Sequence, residues 1–255
     1  MLEIFAEIGL PLVLVSLGLA VGAGVVKGMV GFAMPMILIS ALSSFLPPDL
    51  ALAGLILPAL VTNGMQALRQ GGAAAWASVR QFRVFLLTGF VMLLISAQLV
   101  AVVSAEVLLL MIGGPVVLFA TAQLAGWQLH IRPEQRRRAE VGVGAFAGFI
   151  GGMSGVWGPP TVAYLTALGT EKREQMRVQG VIYGLGAAAL TLAHTGSGVL
   201  NAKTVWFSLA LLPPAVLGMV LGTRIQDRID QVAFRRATLI VLLVAGLNLV
   251  RRAVF

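Results

Sequence analysis

Long stretches without a charged residue constrain the fold of this chain more than any other feature of its sequence. Each of five stretches is close to the roughly 20 residues that an α-helix needs to cross a bilayer. They are residues 51–68, 84–105, 107–129, 178–202 and 204–223. A sixth, 237–250, is shorter, but the flanking arginines have stems long enough to reach the interface. The sequence therefore predicts one all-α, polytopic membrane domain over residues 1–255.

The charged residues lie in small groups at the ends of these stretches. Charged residues make up 11% of the chain, against roughly 25% in soluble domains. The basic residues that give the net charge of +8 lie where membrane proteins have their interfacial anchors. No continuous basic face with interleaved aromatics is present, so nucleic acid is not an expected partner. The sequence has no cysteine and no enzyme or metal-binding motif. We therefore expect neither an enzyme nor a cofactor or metal site.

Two further apolar segments are interrupted by glycine and proline. Residues 8–48 contain the run Gly28 to Pro35, and residues 141–170 contain the run Gly151 to Pro160. Proline removes an amide donor and glycine weakens a helix, so unwound backbone at membrane depth needs partners from protein or water. Each segment is predicted to be a broken helix or a re-entrant hairpin.

The two interruptions align with each other at an offset of 124 positions. Their matching residues are Gly28 with Gly152, Met29 with Met153, Gly31 with Gly155 and Pro35 with Pro159. Three predicted crossings follow each interruption. The chain is therefore predicted to contain two repeats, residues 1–127 and 139–255, which an Arg-rich cytoplasmic loop at 128–138 joins.

The distribution of basic residues favours hairpins. If each interrupted segment returns to its starting side, the basic loops share the cytoplasmic face, and only Lys203, Arg251 and Arg252 lie outside. This satisfies the positive-inside rule. A hairpin plus three crossings is an odd unit, so the second repeat would be inverted relative to the first. Many secondary transporters are built in this way.

The predicted binding site lies at the interruptions, where helix N-termini would direct amide groups towards an anion. Lys27 is the only charged residue well inside an apolar segment, and Asn63 and Gln66 lie one helical turn apart. The expected substrate-binding residues are Lys27, Gly28, Gly31, Phe32, Pro35, Asn63, Gln66, Gly152, Ser154, Gly155, Trp157 and Pro159. The alternatives are close helix packing for the glycines, interhelical hydrogen bonds for the polar residues and an interfacial position for the lysine.

The paired motifs resemble those of the sulfite exporter TauE/SafE family. The C-terminal residues that share the resemblance are Pro213, Pro214, Leu217, Gly218, Gly222, Arg224, Phe234, Arg235 and Gly246. The resemblance covers nearly the whole chain and implies a multi-pass permease of the bacterial inner membrane for sulfite or organosulfonates. Lys27 occurs where the second motif has Gly151, and Pro159-Pro160 occurs where the first has Pro35-Met36. These differences argue against a binding site with exact two-fold symmetry.

The expected function is secondary transport, by alternating access, of a small sulfur-containing anion, with export as the expected direction. The expected partners are the anionic substrate and the lipid bilayer. No acidic residue falls inside a predicted span, so a carboxylate proton relay is not visible. Two questions stay open: whether a proton or a sodium ion is coupled to transport, and whether the protein is a homodimer. The alternatives are an anion channel of the same fold and a membrane accessory subunit that transports nothing.

Overall fold

A computed structural model describes residues 2–97, 104–127, 130–154, 158–196 and 198–254. Within these ranges the chain is helical and contains no β-strand, which confirms the predicted all-α class. The α-helices are α1 (Leu2–Ile8), α2 (Leu10–Val30), α3 (Met34–Leu42), α4 (Pro48–Leu68), α5 (Gly72–Gln81), α6 (Arg83–Ala97), α7 (Ala105–Leu124), α8 (Arg136–Ser154), α9 (Gly158–Ala167), α10 (Lys172–Gly196), α11 (Thr204–Arg228) and α12 (Gln231–Val254). A short 3-10 turn, Pro133–Gln135, precedes α8.

Five of the described helices are long and apolar enough to cross a membrane. They are Leu10–Val30, Asp49–Leu68, Lys172–Gly196, Thr204–Arg228 and Gln231–Val254. A sixth span is possible if Gly72–Gln81 and Arg83–Ser96, which meet at 71°, are counted as one broken helix. The chain is therefore a multi-pass membrane protein. Helix α7 ends at Leu124, before the end of the predicted span 107–129.

The first interruption lies within the predicted run Gly28 to Pro35 and is shorter than that run. Helix α2 continues through Gly28 and ends at Val30, so the unwound backbone is limited to residues 31–33. Gly31 ends the helix because it adopts a left-handed conformation with φ 87° and donates its N–H to the Lys27 carbonyl at 2.7 Å. With 21 residues, α2 has the length of a complete crossing rather than that of a half-helix.

The second interruption separates α8 from α9. Helix α8 ends at Ser154 and α9 begins at Gly158, while residues 155–157 lie outside the described ranges. Pro159 and Pro160 fall in the first turn of α9, and Pro35 falls in the first turn of α3. Proline is tolerated there because amides of the first turn have no acceptor within the helix. In both interruptions, prolines therefore lie at the beginning of the helix that follows.

The chain folds into two compact units, each of which takes helices from both predicted repeats. Unit 1 consists of Met1–Ala75 and Met176–Asp230, and unit 2 of Trp76–Gln175 and Gln231–Phe255. The repeat boundaries and the inversion of the second repeat stay predictions.

Glycines bring α2 and α11 together in unit 1. A Cβ added at Gly24 would overlap the Ala215 carbonyl oxygen, and one added at Gly28 would lie 2.9 Å from the Gly222 Cα. Such contact between helix backbones is typical of small residues in membrane helices. Gly28 therefore lies in the contact between α2 and α11. This agrees with the alternative in which the glycine allows close helix packing.

In unit 2, glycines likewise allow α8 and α6 to pack closely. A Cβ at Gly148 would lie 2.7 Å from the Gly89 Cα, and one at Gly144 would lie 2.8 Å from the Phe85 carbonyl oxygen. Gly148 is the residue 124 positions after Gly24, which makes the corresponding contact in unit 1. Aligned glycines thus perform the same packing role in both units, which supports the internal repeat.

A hydroxyl group from α11 fixes α4 within unit 1. Pro58 has no amide hydrogen, so the Gly54 carbonyl lacks its usual donor in the helix. The Ser208 hydroxyl donates to that carbonyl at 3.4 Å and accepts from the Leu57 N–H at 3.1 Å. The two bonds hold the segment of α4 that precedes Asn63 and Gln66.

Candidate functional site

Lys27 lies in the last turn of α2 and is only 1% exposed. Its ammonium donates a hydrogen bond to the Asn63 Oδ1. Among the residues that the structure describes, no carboxylate lies within 4.0 Å of the Lys27 Nζ. An ammonium can donate three hydrogen bonds. Lys27 is thus a buried cation with no described counter-ion and with unused donor capacity.

Asn63 and Gln66 present their amides from one face of α4, and each is only 2% exposed. The Asn63 Nδ2 lies 3.5 Å from the Tyr183 carbonyl oxygen. The Gln66 Nε2 donates to the Gly31 carbonyl at 3.1 Å and to the Met176 carbonyl at 2.8 Å. Gln66 therefore connects the unwound backbone after α2 to the first part of α10.

The Gln66 amide oxygen is buried, and no described group donates a hydrogen bond to it. Buried amide groups in proteins are nearly always paired, because leaving one unpaired loses the hydrogen bond that water would supply. The Lys27 cluster therefore contains an unused acceptor, the Gln66 Oε1, as well as the unused donor capacity of Lys27.

The backbone at the interruption has no room for a side chain at Gly31. A Cβ there would overlap the Gln179 Oε1, and it would lie 2.9 Å from the Gln66 Nε2 and 2.8 Å from the Met176 Sδ. Ala33 also has a positive φ, 73°, which is uncommon for a residue other than glycine. Such backbone strain is concentrated at functional sites. We call the group Lys27, Gly31, Asn63, Gln66 and Gln179 the Lys27 cluster.

The other residues predicted in the site are distributed between the two units. Phe32 is buried in the unwound stretch, and Pro35 is half-buried in α3. Gly152 and Ser154 lie in the last turn of α8, and Pro159 lies in α9 of unit 2. Gly155 and Trp157 lie outside the described ranges. The structure thus brings together Lys27, Gly31, Asn63 and Gln66, while a site that includes the second motif stays a prediction.

Gln179 is one of several polar residues of the predicted spans that were left out of the expected site, and its side chain is completely buried beside Gly31. The signal that could have identified it is the adjacent Gly180, where a Cβ would lie 2.8 Å from the Gln66 backbone carbon. A small residue next to a glutamine indicates close approach between two helices.

Glu140 is a buried residue that sequence reasoning overlooked. It is 6% exposed in unit 2, and no described group donates to its Oε1. Its position directly after the Arg-rich loop gave it the appearance of a solvated loop residue. Within the described ranges, no group of three or more His, Asp or Glu side chains could hold a metal ion.

Comparison with known families covers most of the chain. Residues 16–249 match the family model described as Sulfite exporter TauE/SafE. The matched range contains both interruptions and the whole Lys27 cluster. No match was found among curated proteins or among solved structures.

Proposed function

The chain belongs to the sulfite exporter TauE/SafE family, and we propose that it is a secondary transporter that exports a small sulfur-containing anion across the bacterial inner membrane. The family implies a membrane exporter or permease for sulfite or related sulfur anions. Our proposal adds the direction, the binding site and alternating access. It names sulfite or an organosulfonate as the substrate class.

The buried ammonium of Lys27 is the observation that carries the proposal. Moving a charge out of water is costly unless an opposite charge or several hydrogen bonds compensate for it. Asn63 supplies one neutral hydrogen bond, and no described carboxylate supplies the countercharge. An anionic substrate would supply it. Ionisable residues inside membrane helices commonly mark substrate pathways for this reason.

The neighbouring groups suit an oxyanion. Asn63 orients the Lys27 side chain, while Gln66 fixes the Gly31 carbonyl and with it the path of the unwound backbone. Helix α3 begins three residues after Gly31, and the N-terminus of a helix carries partial positive charge. In this proposal Lys27 provides the charge, and the N-terminus of α3 provides an electrostatic environment that favours a negative ligand.

Transport by alternating access follows from the same electrostatics. An empty site leaves the Lys27 charge without a described counter-ion, so closing it away from water is unfavourable. A bound anion neutralises that charge and lowers the cost of the occluded state. The substrate would therefore promote the conformational change that carries it across the bilayer.

A flux assay on the purified full chain in proteoliposomes tests this function. We expect Lys27→Ala to lower sulfite flux by roughly 10- to 100-fold, because a charge-assisted hydrogen bond contributes about 1.5–3 kcal/mol. Lys27→Arg keeps the charge and should retain part of the flux. The matched control is Lys203→Ala, since Lys203 is exposed and pairs with Glu7 at 2.6 Å. Equal flux in all four proteins would contradict the proposal.

The same assay separates the alternatives. A carrier gives flux that saturates with sulfite and that sulfite on the opposite side accelerates. An anion channel gives current that follows the gradient without such acceleration, and an accessory subunit gives no flux. Imposed proton, sodium and voltage gradients then identify the coupling ion. A homodimer is part of the proposal, and its test is the mass of the purified protein in detergent.

A further inference from the structure

We propose that the anion bound at the Lys27 cluster carries a hydrogen-bond donor of its own. The substrate class would then be a singly charged sulfur oxyanion with an O–H or uncharged N–H group, such as a hydroxyl-bearing sulfonate. This inference rests on the proposed function, because it assigns a ligand to the same site. It goes beyond that function by predicting which sulfur anions the site prefers.

The orientation of the Gln66 amide is the first step of the argument. Oxygen and nitrogen of a side-chain amide are assigned from their hydrogen bonds. The Gln66 Nε2 donates to two carbonyl oxygens, those of Gly31 and Met176, at 3.1 and 2.8 Å. The opposite orientation would place the Gln66 oxygen against both carbonyls, where nothing can donate. The Oε1 must therefore point away from the Gly31 and Met176 carbonyls.

The second step is that the Gln66 Oε1 is a hydrogen-bond acceptor that lacks a donor. The residue is 2% exposed, and no described group donates to this oxygen. An amide oxygen has two lone pairs and cannot donate. A sulfonate or sulfite oxygen would therefore repel it, whereas an O–H or N–H group of the ligand would satisfy it.

The third step is the position of this acceptor relative to the Lys27 cation. Lys27 in the last turn of α2 bonds to Asn63 of α4. Gly31, which directly follows α2, bonds to Gln66, one turn after Asn63 in α4. Groups one turn apart on a helix face are separated by roughly 5–6 Å at their Cβ atoms. This separation is comparable to the length of a two-carbon sulfonate. The oxyanion end of such a ligand would bind Lys27, and its donor end would bind Gln66.

The experiment compares two sulfonates that differ in one group. Isethionate, 2-hydroxyethanesulfonate, has a hydroxyl where propane-1-sulfonate has a methyl. Calorimetric titration of the purified full chain should show isethionate binding at least about tenfold more tightly, since a site built to pair with a hydroxyl discriminates against the analogue that lacks it. Gln66→Met should remove this preference while propane-1-sulfonate still binds. The control Gln81→Met, at an exposed glutamine that bonds to Glu174, should retain the preference.

Each contrary outcome has a distinct meaning. If the wild-type protein binds both sulfonates equally and Lys27→Ala abolishes both, the function stands and the donor requirement is wrong. Water would then satisfy Gln66. If the preference survives in Gln66→Met, the assignment to Gln66 is wrong. If neither sulfonate binds in a way that depends on Lys27, the proposed site is wrong and this inference with it. The wild-type comparison decides the question even if Gln66→Met does not fold.

Discussion

The two units use the same helix contact but bury opposite charges. In unit 1, α2 packs against α11 through Gly24, and a buried cation, Lys27, lies one turn further along α2. In unit 2, α8 packs against α6 through Gly148, and a buried carboxyl, Glu140, lies two turns earlier in α8. These two are the buried charged side chains among the described residues. The aligned positions thus share a packing role, while the chemistry belongs to residues that do not align.

The comparison separates the glycines into two classes. Gly24 and Gly148 allow two helix backbones to approach each other. Gly31 instead has a positive φ and polar side chains where its own would be. The repeated glycine motif is therefore chiefly a packing device in the described residues. What distinguishes unit 1 is the polar face of α4 that meets the end of α2.

The largest expected effect comes from a side chain in the helix contacts. Gly24→Leu and Gly148→Leu should each cost more than about 4 kcal/mol, because even a Cβ overlaps backbone in these positions. The measurement is the yield of folded protein and its melting temperature. The matched controls are Gly22→Leu in α2 and Gly142→Leu in α8, since no atom lies within 4 Å of a Cβ at either residue. If Gly148→Leu is tolerated and Gly24→Leu is not, the two helix contacts are not equivalent.

A smaller effect is expected at Gly31, where both the backbone and the neighbours oppose a side chain. Gly31→Ala should lower stability by about 2–4 kcal/mol and weaken anion binding, since alanine disfavours a positive φ and the Cβ would displace Gln179. Gly71→Ala is the control, because Gly71 has φ +90° and open space around it. Denaturation and anion titration of both variants separate strain from crowding. Equal losses in the two proteins would show that crowding at Gly31 is unimportant.

The smallest effect is expected at Glu140, which precedes the apolar segment that begins at residue 141. Burial raises the pKa of the Glu140 carboxyl, and the charges of Arg136 and Arg83 oppose that rise only in part. The Tyr164 hydroxyl of α9 also has an electrostatic interaction with the Glu140 carboxyl. A raised pKa means that the folded state holds the proton more tightly than the unfolded state. The contribution of Glu140 to the free energy of unfolding is therefore complete at low pH. It is lost as the pH rises through the pKa of Glu140 in the folded state.

Glu140→Gln should accordingly leave the melting temperature almost unchanged near about pH 4 and raise it slightly near about pH 8. The neutral amide avoids the cost of burying an ionised carboxyl. Glu134→Gln, at an exposed glutamate, is the control for the same change of side chain outside a buried position. A Glu140→Gln protein that is less stable at the higher pH would mean that the ionised carboxyl is well compensated in unit 2. The contrast with Lys27 would then disappear.

Several membrane-spanning helices could be predicted because hydrocarbon excludes charge. Their ends were less accurate, since α10 ends at Gly196 and not at residue 202, and α7 ends at Leu124 and not at residue 129. The position of the first interruption could not be predicted to the residue. Gly28 and Gly31 look alike in a sequence, but only Gly31 adopts a left-handed conformation, whereas Gly28 packs against α11. Helix α5 was not predicted, because its residues lie between the predicted spans 51–68 and 84–105.

The candidate site could be predicted in part. Lys27 is conspicuous as a charge in an apolar segment, and the spacing of Asn63 and Gln66 follows from helical periodicity. The contacts of Gln66 with Gly31 and Met176 join residues 35 and 110 positions apart. Such contacts depend on how helices pack and leave no local pattern. For the same reason the burial of Gln179 and Glu140 was visible only in the structure.

The most direct test of the account is the equilibrium affinity of the detergent-purified full chain for isethionate, compared with that of Lys27→Ala and of the control Lys203→Ala. We expect Lys27→Ala to raise the Kd by roughly 10- to 100-fold, while Lys203→Ala keeps the wild-type value. An unchanged Kd in Lys27→Ala, in a protein that is still folded, would show that the buried ammonium does not bind the anion.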